Sequence, residues 1–381
     1  MSKLKLALLV IAATTSLTNT FGAIITWICL PLLIIFFGLI EKKKFNIRAI
    51  IMALIIIFFI TASSYFAYSY AEYNSRFIIN YLLSVVGFIT VAIGFNKLDF
   101  IYLSRLIKIV LLAHCILFLM QFLSYYVFKY NLDYNLLTGG PGSRHEWGEL
   151  YRTTGIYDEP AVFAMHISTL IVMKYIIKKK TDAVDRIALL CLVLSFSFVG
   201  IFQAFLIGYL VFRGPAKKIL FSLGCMAFIL FFIDNIILRY NEFIAGGDGS
   251  NNTKIETINH FLNSSDKLFF GYGLAGYDAS FPLYYQGLYD LTFWGANFTL
   301  WGVVIGSLLT SYFLWKLSLF KFKEIILINV CLIKIATPTF MIYWFFIIFI
   351  YLYSKKRMHN VSTCINSYGN QQGQPFLKTG C

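Results

Sequence analysis

Apolar residues fill long blocks of the chain, and short polar stretches separate one block from the next. The blocks are roughly 15 to 25 residues long, close to the length that a helix needs to cross the hydrocarbon core of a bilayer. This pattern predicts an all-α, polytopic integral membrane protein with about twelve transmembrane helices. The predicted helices are 5–19, 22–40, 48–67, 77–95, 106–128, 160–177, 187–198, 201–213, 219–238, 291–313, 324–336 and 340–354.

Four of these helices are short, and their arrangement is predicted from charge. Segments 187–198 and 201–213 could form one long helix or a hairpin. Basic clusters at 178–186 and 213–218 flank the pair, and only a hairpin keeps both clusters on one side of the membrane. The same reasoning predicts an outer turn at 337–339, between helices 324–336 and 340–354.

The composition excludes a soluble globular domain, because 59% of the residues are hydrophobic and only 13% are charged. A net charge of +14 would suit nucleic-acid binding, but most of the 32 Lys and Arg lie in short clusters between apolar blocks. That distribution is the positive-inside pattern of membrane proteins. The expected partner is therefore the lipid bilayer, not nucleic acid, and both termini are predicted to be cytoplasmic.

Residues 1–357 are predicted to form one transmembrane domain, and the polar residues 358–381 predict a disordered cytoplasmic tail. Residues 1–13 resemble a signal peptide, but no soluble domain follows, which favours a short first membrane helix. The seven cysteines include no CxxC pair, so the sequence indicates neither a zinc site nor a disulfide framework.

Two predicted outer loops, 129–159 and 239–290, are long, whereas the other connections are short. Long loops between closely spaced elements are usually functional. Residues 140–160 of the first loop read GPGSRHEWGELYRTTGIYDEP and concentrate ionisable groups between apolar segments. A membrane protein with such a loop is expected to bind a ligand or perform chemistry there.

Arg144 and Arg152 are the candidate phosphate ligands of the first loop. Each guanidinium offers a planar fork of donors that matches phosphate oxygens. Two such groups just above the membrane suit a lipid-linked diphosphate. The alternative is that they pair with Glu146 and Glu149, or with lipid headgroups.

The end of the first loop carries two candidate catalytic carboxylates, Asp158 and Glu159. Gly155 permits a tight backbone, and Pro160 is suited to open the next helix. The two carboxylates would then lie at the positive end of that helix, where they could simply cap it. Alternatively, one of them accepts a proton from a sugar hydroxyl. His166, two turns further on, is interpreted as a packed polar residue.

The second loop carries Arg239, Lys254 and His260, followed by the glycine-rich segment 268–274. Its glycines do not form a nucleotide-binding loop, and no cluster has the spacing of metal ligands. We therefore expect no metal and no cofactor. The aromatic residues of 277–294 could stack on sugar rings or form an interfacial belt.

The order of these features resembles the Wzy-type O-antigen polymerases of bacterial inner membranes, which are polytopic and have two large periplasmic loops. The segment Arg152-Thr-Thr-Gly-Ile-Tyr-Asp-Glu-Pro160 is similar to the family's R-x-x-G-x-x-x-E-P pattern. Ten residues separate Arg144 from Gly155, as in the arginine–glycine spacing of that loop. The segment 268–274, LFFGYGL, resembles the family's glycine-rich segment late in the second loop. The second loop departs from the family, because Lys254 and His260 precede this segment instead of arginine.

The resemblance implies the fold of the membrane-embedded C-type glycosyltransferases and a location in the bacterial inner membrane. It implies transfer of a growing glycan from polyprenyl diphosphate to a hydroxyl of the next lipid-linked repeat, on the periplasmic face. Donor and acceptor are both polyprenyl-diphosphate-linked oligosaccharides, and a chain-length regulator is a further candidate partner. Glu159 or Asp158 would deprotonate the acceptor. The residues implied to bind diphosphate are Arg144, Arg152, Arg239 and Lys254, with His260 and Gly155 as further site candidates.

Three alternatives stay open at this point. An O-antigen ligase performs related chemistry, but ligases tend to carry Asn-Pro where this chain has Glu159-Pro160. A polysaccharide-lipid transporter or flippase usually shows charged or broken helices at mid-membrane. A structural scaffold of an assembly complex is the third alternative.

The predicted topology can be checked with reporter fusions. We expect fusions after Lys218 and after Lys356 to report the cytoplasm, and a fusion within 245–255 to report the periplasm, because basic residues cluster at the first two sites. A cytoplasmic signal from 245–255 would contradict the hairpin assignment.

Overall fold

The computed structural model describes residues 3–15, 75–94, 98–137, 139–140, 142–147, 150–231, 233–246, 249–274, 284, 287–288 and 290–369, together with isolated positions between 24 and 58. Predicted helices 22–40 and 48–67 therefore fall largely outside the described residues. The described part is helical, as the sequence predicts, apart from one short β-hairpin in the first loop.

Fourteen helices and two strands can be bounded in the described residues. The first seven helices are α1 (Lys3–Thr14), α2 (Ser75–Gly94), α3 (Phe100–Tyr126), α4 (Tyr134–Leu137), α5 (Pro160–Lys178), α6 (Ala183–Leu194) and α7 (Phe198–Val211). The others are α8 (Pro215–Phe231), α9 (Ile233–Ile244), α10 (Gly249–Asn263), α11 (Ser265–Phe270), α12 (Phe293–Leu317), α13 (Phe322–Leu332) and α14 (Met341–Gly369). Strands β1 (Glu146–Trp147) and β2 (Leu150–Tyr151) pair antiparallel, with Glu146 opposite Tyr151.

Local sequence signals explain several helix ends. Asp99 caps α3 by accepting hydrogen bonds from the backbone N–H groups of Ile101 and Tyr102. Asp182 and Asp185 form a reciprocal capping box at the start of α6. Pro160 opens α5, where its missing N–H leaves no acceptor unsatisfied.

Helix α5 lies at the centre of the bundle, and almost all of its residues are buried. Helices α3, α6, α7, α13 and α14 pack around it. The side chains of Phe118 in α3 and Phe163 in α5 stack with ring centroids 4.6 Å apart. Helix α1 also belongs to this core, since Leu9 and Val10 are fully buried.

Among the described residues, three helices are long and apolar enough to cross a membrane, namely α3, α5 and α12. On α3 and α12, residues such as Ile109 and Leu308 expose large apolar side chains. Such surfaces suit a lipid environment. The count of twelve crossings stays a prediction.

The two predicted hairpins are confirmed by contacts between their ends. The guanidinium of Arg213, after α7, donates a 2.8 Å hydrogen bond to the carbonyl of Lys179, before α6. The side chain of Arg357, in α14, lies 2.7 Å from Glu324, at the start of α13, and Lys179 also pairs with Glu324. Both hairpins therefore return the chain to one end of the bundle, where the basic clusters were expected to meet.

Several boundaries differ from the predictions, and three of the differences concern the second loop and the last two helices. The second loop is largely helical, because α9, α10 and α11 occupy most of its described residues. Helix α13 ends at Leu332, so Lys334 lies in a turn and not in a helix as predicted. Helix α14 continues to Gly369, beyond the predicted end of the last helix at residue 354.

Helix α12 is broken at Gly302, whose φ of 72° and ψ of 172° suit glycine alone. The break removes the usual helical partners of nearby carbonyl groups. The glycine-rich segment supplies replacements, because the N–H groups of Tyr272 and Gly273 donate to the carbonyls of Thr299 and Leu300 at 2.8 and 2.9 Å. The segment LFFGYGL is therefore inserted against the broken helix, and its glycines permit the close approach.

Replacing Gly302 with alanine should destabilise this junction. A Cβ atom there would lie 2.0 Å from the carbonyl oxygen of Phe269, and the backbone conformation is unfavourable for alanine. We expect a loss of about 2–4 kcal/mol, measured as a lower thermal midpoint of the detergent-solubilised protein. Gly224→Ala in α8 is the matched control, because its added methyl group meets no atom within 4 Å. Equal midpoints for the two variants would contradict the proposed role of the break.

Candidate functional site

The first loop is fastened to the helical bundle by Gln121 of α3. Its Oε1 accepts hydrogen bonds from the N–H groups of Thr154 and Gly155, at 3.0 and 2.7 Å. Its Nε2 donates to the carbonyl of Leu132 at 2.9 Å. Gln121 is fully buried and spans both ends of the loop, so one side chain fixes where the loop enters and leaves the helical bundle. Gly155 has a φ of 62°, which confirms the predicted tight backbone.

Asp133 organises the inside of the loop. Its carboxylate accepts hydrogen bonds from the N–H groups of Asn135 and Leu136, and from both the N–H and the hydroxyl of Ser143. Desolvation acts to raise its pKa, but the Ser143 and Leu136 hydrogen bonds and the charge of His145 together hold the pKa below its usual value. The carboxylate is therefore ionised at neutral pH, and it accepts hydrogen bonds from backbone N–H groups of the loop itself.

His145 is a structural residue of the loop. Its Nε2 lies 3.3 Å from Asp133, its Nδ1 lies 3.0 Å from the carbonyl of Arg152, and its ring stacks on Tyr151. Only 5% of the residue is exposed. These contacts hold the two edges of the hairpin together and leave His145 poorly placed to meet a substrate.

The structure brings Arg144 and Arg152 together. The Nη2 atom of Arg152 lies 3.3 Å from the carbonyl oxygen of Arg144, and the Arg152 N–H donates to the neighbouring His145 carbonyl at 2.7 Å. Arg144 is exposed and Arg152 is half-buried. The alternative pairing with Glu146 and Glu149 involves side chains outside the described residues.

Asp158 lies beside the arginines. The N–H of Arg144 donates to the Asp158 carbonyl at 2.7 Å, and the hydroxyl of Ser143 donates to the Tyr157 carbonyl at 3.1 Å. The end of the loop therefore runs alongside its arginine-bearing segment. This pairing places the backbones of Arg144 and Asp158 next to each other.

Glu159 occupies the N-cap position of α5 but does not cap it. Its backbone is extended, with φ −141° and ψ 140°, and its carbonyl accepts from the N–H groups of Val162 and Phe163. Its side chain makes no capping hydrogen bond. Within the described part of the chain, no hydrogen bond or ion pair engages this half-buried carboxylate. The capping interpretation of Glu159 is therefore not supported.

Tyr157 ties the loop to the core below it. Its ring stacks on His166 at 4.4 Å and on His114 at 5.6 Å, and its hydroxyl donates to the Thr14 carbonyl of α1. His166 is fully buried, and its Nδ1 lies 2.8 Å from the Val162 carbonyl. The interpretation of His166 as a packed polar residue is confirmed.

The second loop presents a separate basic group. Lys254, on α10, lies 3.0 Å from Asp290, and Asp290 also pairs with Lys334 in the turn between α13 and α14. Desolvation acts to raise the pKa of Asp290, but Lys334 and Lys254 outweigh it and lower the pKa to about 2. Asp290 is therefore an anion throughout the physiological range, and it binds both lysines.

His260 lies on the same helix as Lys254, within an aromatic group. Its ring stacks on Tyr284 at 3.7 Å with a 7° interplanar angle, and its Nδ1 contacts the hydroxyl of Tyr272. Burial is the main cause that lowers the pKa of His260. Thr257, between Lys254 and His260, donates to the Tyr284 carbonyl at 2.7 Å.

The remaining site candidate, Arg239, was predicted at the start of the second loop and lies inside α9. Its side chain is outside the described part of the structure. The described contacts join neither Lys254 nor His260 to the arginines of the first loop. Nor do the described residues hold a cluster of three or more His, Cys, Asp or Glu side chains placed for a metal ion.

Gln121, Asp133 and Asp290 were not predicted as parts of a site. In the sequence, Gln121 is a polar residue in an apolar helix, which is also the pattern of a helix-to-helix hydrogen bond. Asp133 and Asp290 belong to no motif. Ser143, the partner of Asp133, lies 10 residues away, and Lys334, a partner of Asp290, lies 44 residues away.

Comparison of the chain with protein-family models, curated proteins and solved structures finds no match in any of the three.

Replacing Gln121 with leucine should release the first loop. The N–H groups of Thr154 and Gly155 would lose their acceptor, at a cost of about 1–3 kcal/mol for each buried group. We expect limited proteolysis of the solubilised protein to cut within 129–159, with the cut positions read by mass spectrometry. Gln203→Leu is the control, because it removes a bond to Val330 inside the bundle and should leave the loop protected. Equal protection in both variants would rule out the anchoring role.

Proposed function

We propose that the chain is a surface-polysaccharide polymerase of the O-antigen type. It transfers a glycan from a polyprenyl diphosphate to a hydroxyl group of the next lipid-linked repeat, on the outer face of the bacterial inner membrane. The observation that carries the proposal is the arrangement of the first loop. Arg144 and Arg152 lie beside Asp158 and Glu159 at the start of a membrane-length helix, and the Glu159 carboxylate is not used as a cap.

The proposed reaction uses these groups in fixed roles. The acceptor hydroxyl oxygen bonds to the anomeric carbon of the donor glycan, and the bond from that carbon to the diphosphate oxygen breaks. The diphosphate leaves with the electron pair, so negative charge grows on it. Arg144 and Arg152 would stabilise that charge, and Glu159 would accept the hydroxyl proton. No nucleotide enters the reaction, because the diphosphate is already the leaving group.

The position of Glu159 suits a base at a membrane surface. Pro160 and the extended backbone of Glu159 set its carboxylate at the beginning of α5, next to the ordered backbone of Asp158. The loop below it is held by Gln121, Asp133 and Tyr157, so its position does not depend on the carboxylate itself. A side chain that is not required to hold the loop in place is available for chemistry.

Deletion of the gene in its host, followed by gel analysis of lipopolysaccharide, tests the proposed activity. A polymerase defect leaves a single repeat on each core. A ligase defect leaves no polymer on the core and retains polymer on the lipid carrier, and it would replace the proposal. An unchanged ladder would contradict both.

Replacing Glu159 with glutamine distinguishes a role as catalytic base from a role as helix cap. The substitution keeps the shape of the side chain and removes its charge and basicity. If Glu159 is the catalytic base, the rate of polymerisation should fall by roughly two to four orders of magnitude. We expect polymer to be nearly absent at normal protein abundance. Asp158→Asn is the matched control and should be milder, because the contact of Asp158 with Arg144 uses its backbone carbonyl. Wild-type ladders from Glu159→Gln would remove Glu159 from the mechanism.

Replacing Arg144 tests recognition of the diphosphate. Arg144 is exposed, and its contacts with Asp158 and Arg152 use only its backbone, so Arg144→Ala should leave the loop folded. We expect a strong loss of polymer with alanine and only partial recovery with lysine, which lacks the bidentate fork. Full polymer length in an inserted Arg144→Ala protein would contradict the role.

A further inference from the structure

Lys316, at the end of α12, is a buried lysine that is surrounded by aromatic rings. Only 6% of the residue is exposed. Its Nζ atom lies 3.9 Å from the ring centroid of Trp315, and 5.3 and 5.2 Å from those of Tyr312 and Tyr351. The rings attract the cation, but they supply no oxygen acceptors for its three N–H donors. Among the described residues, neither a carboxylate nor another hydrogen-bond acceptor contacts this Nζ atom.

A second lysine lies close to Lys316 and adds to its positive charge. Lys355, on α14, is exposed and interacts electrostatically with Lys316. Glu324, the nearest carboxylate in the sequence, already pairs with Lys179 and Arg357. The two lysines therefore form a cationic site that lacks a counter-ion from the described part of the chain.

The site lies at the end of the bundle that is predicted to be cytoplasmic. The guanidinium of Arg357, two residues after Lys355, donates a 3.0 Å hydrogen bond to the carbonyl of Leu319, three residues after Lys316. Arg357 also pairs with Glu324, which binds the residue that follows α5. Because α5 begins at the first loop, the two lysines lie at its opposite end. At a cytoplasmic surface they would meet anionic lipids.

An exposed apolar stripe runs along α12 towards the two lysines. Val304, Leu308, Tyr312 and Trp315 are all exposed and recur at the spacing of one helix face. In a bilayer, the aromatic pair would lie at the depth of the lipid headgroups, and the aliphatic pair would face acyl chains. The combination of an apolar stripe with two cations at its polar end matches the chemistry of an anionic phospholipid.

We propose that Lys316 and Lys355 bind the phosphate group of an anionic glycerophospholipid of the inner leaflet, whose acyl chains lie along the apolar stripe of α12. The phosphate oxygens accept hydrogen bonds from both ammonium groups, which are charge-assisted and therefore strong. A zwitterionic lipid offers the same phosphate, but its own ammonium group is repelled by the two lysines. This lipid site is separate from the first loop and does not rest on the proposed polymerase activity.

Native mass spectrometry of the purified full chain, titrated with phosphatidylglycerol in a neutral detergent, tests the lipid site. We expect phosphatidylglycerol to bind about tenfold more tightly than phosphatidylcholine. Lys316→Met keeps the length of the side chain and removes its charge, so the affinity for phosphatidylglycerol should fall about tenfold while that for phosphatidylcholine stays unchanged. Lys316→Arg keeps the charge and should retain the preference. Lys355→Gln, at an exposed position, should weaken binding about threefold.

Lys356→Gln is the matched control for Lys355→Gln. Lys356 is also an exposed lysine of α14, but its ammonium group lies over the ring of Phe100 in α3, 4.9 Å from the ring centroid. Its loss should change the affinity for phosphatidylglycerol less than about twofold. Equal losses in the two variants would indicate attraction by basic charge in general and would overturn the site. Native affinity in Lys316→Met would overturn it as well, because the aromatic rings alone would then satisfy Lys316.

Competition with inorganic phosphate separates a lipid site from a general anion site. Inorganic phosphate offers the same oxygens without acyl chains, so a large molar excess should leave most of the phosphatidylglycerol bound. Complete displacement would contradict the assignment to a lipid. Because the measurement records lipid binding and not polymer synthesis, its result stands whether or not the chain proves to be a polymerase.

Discussion

Backbone polar groups that leave a regular helix inside an apolar bundle must find new partners, and the structure depends on how this chain supplies them. At the first loop, the amide of Gln121 accepts from two backbone N–H groups and donates to a carbonyl. At the broken helix α12, the segment 271–273 supplies N–H groups to the carbonyls of Thr299 and Leu300. Each set of hydrogen bonds joins a predicted outer loop to a membrane-length helix, so both loops are attached to the helical bundle.

This support explains how reactive groups could be displayed at a membrane surface. Asp133 and His145 bond the interior of the first loop, so its fold does not depend on the Glu159 side chain, which makes no capping hydrogen bond. In the proposed polymerase, Arg144, Arg152 and Glu159 would meet a diphosphate and a sugar hydroxyl. In the second loop, by contrast, Asp290 neutralises part of the positive charge of Lys254 and Lys334. The two loops differ in this respect, since Arg144 of the first loop is exposed whereas both lysines of the second loop pair with Asp290.

The sequence predicts those helices and hairpins that follow from hydrophobic periodicity and from the distribution of charge. It does not predict features that depend on contacts between residues distant in the sequence. Helix α5 was predicted to within a residue because an apolar block follows a proline, and the two hairpins followed from basic clusters. The helices of the second loop were missed because α10 is polar and polar segments of this composition also occur without structure. The roles of Asp133, Gln121 and Asp290 could not be predicted, because their partners are distant in the sequence. The proximity of Arg144, Arg152 and Asp158 was predictable because all three lie within residues 144–158 of one loop.

The central claim is that the first loop joins lipid-linked glycans, and reconstitution tests it most directly. The purified full chain would be placed in lipid vesicles with a polyprenyl-diphosphate-linked oligosaccharide of one repeat, and the products would be read by mass spectrometry. The account predicts lipid-linked products of two or more repeats, with one polyprenyl diphosphate released for each new linkage. Unchanged substrate, or free oligosaccharide without joined repeats, from a folded protein would contradict it.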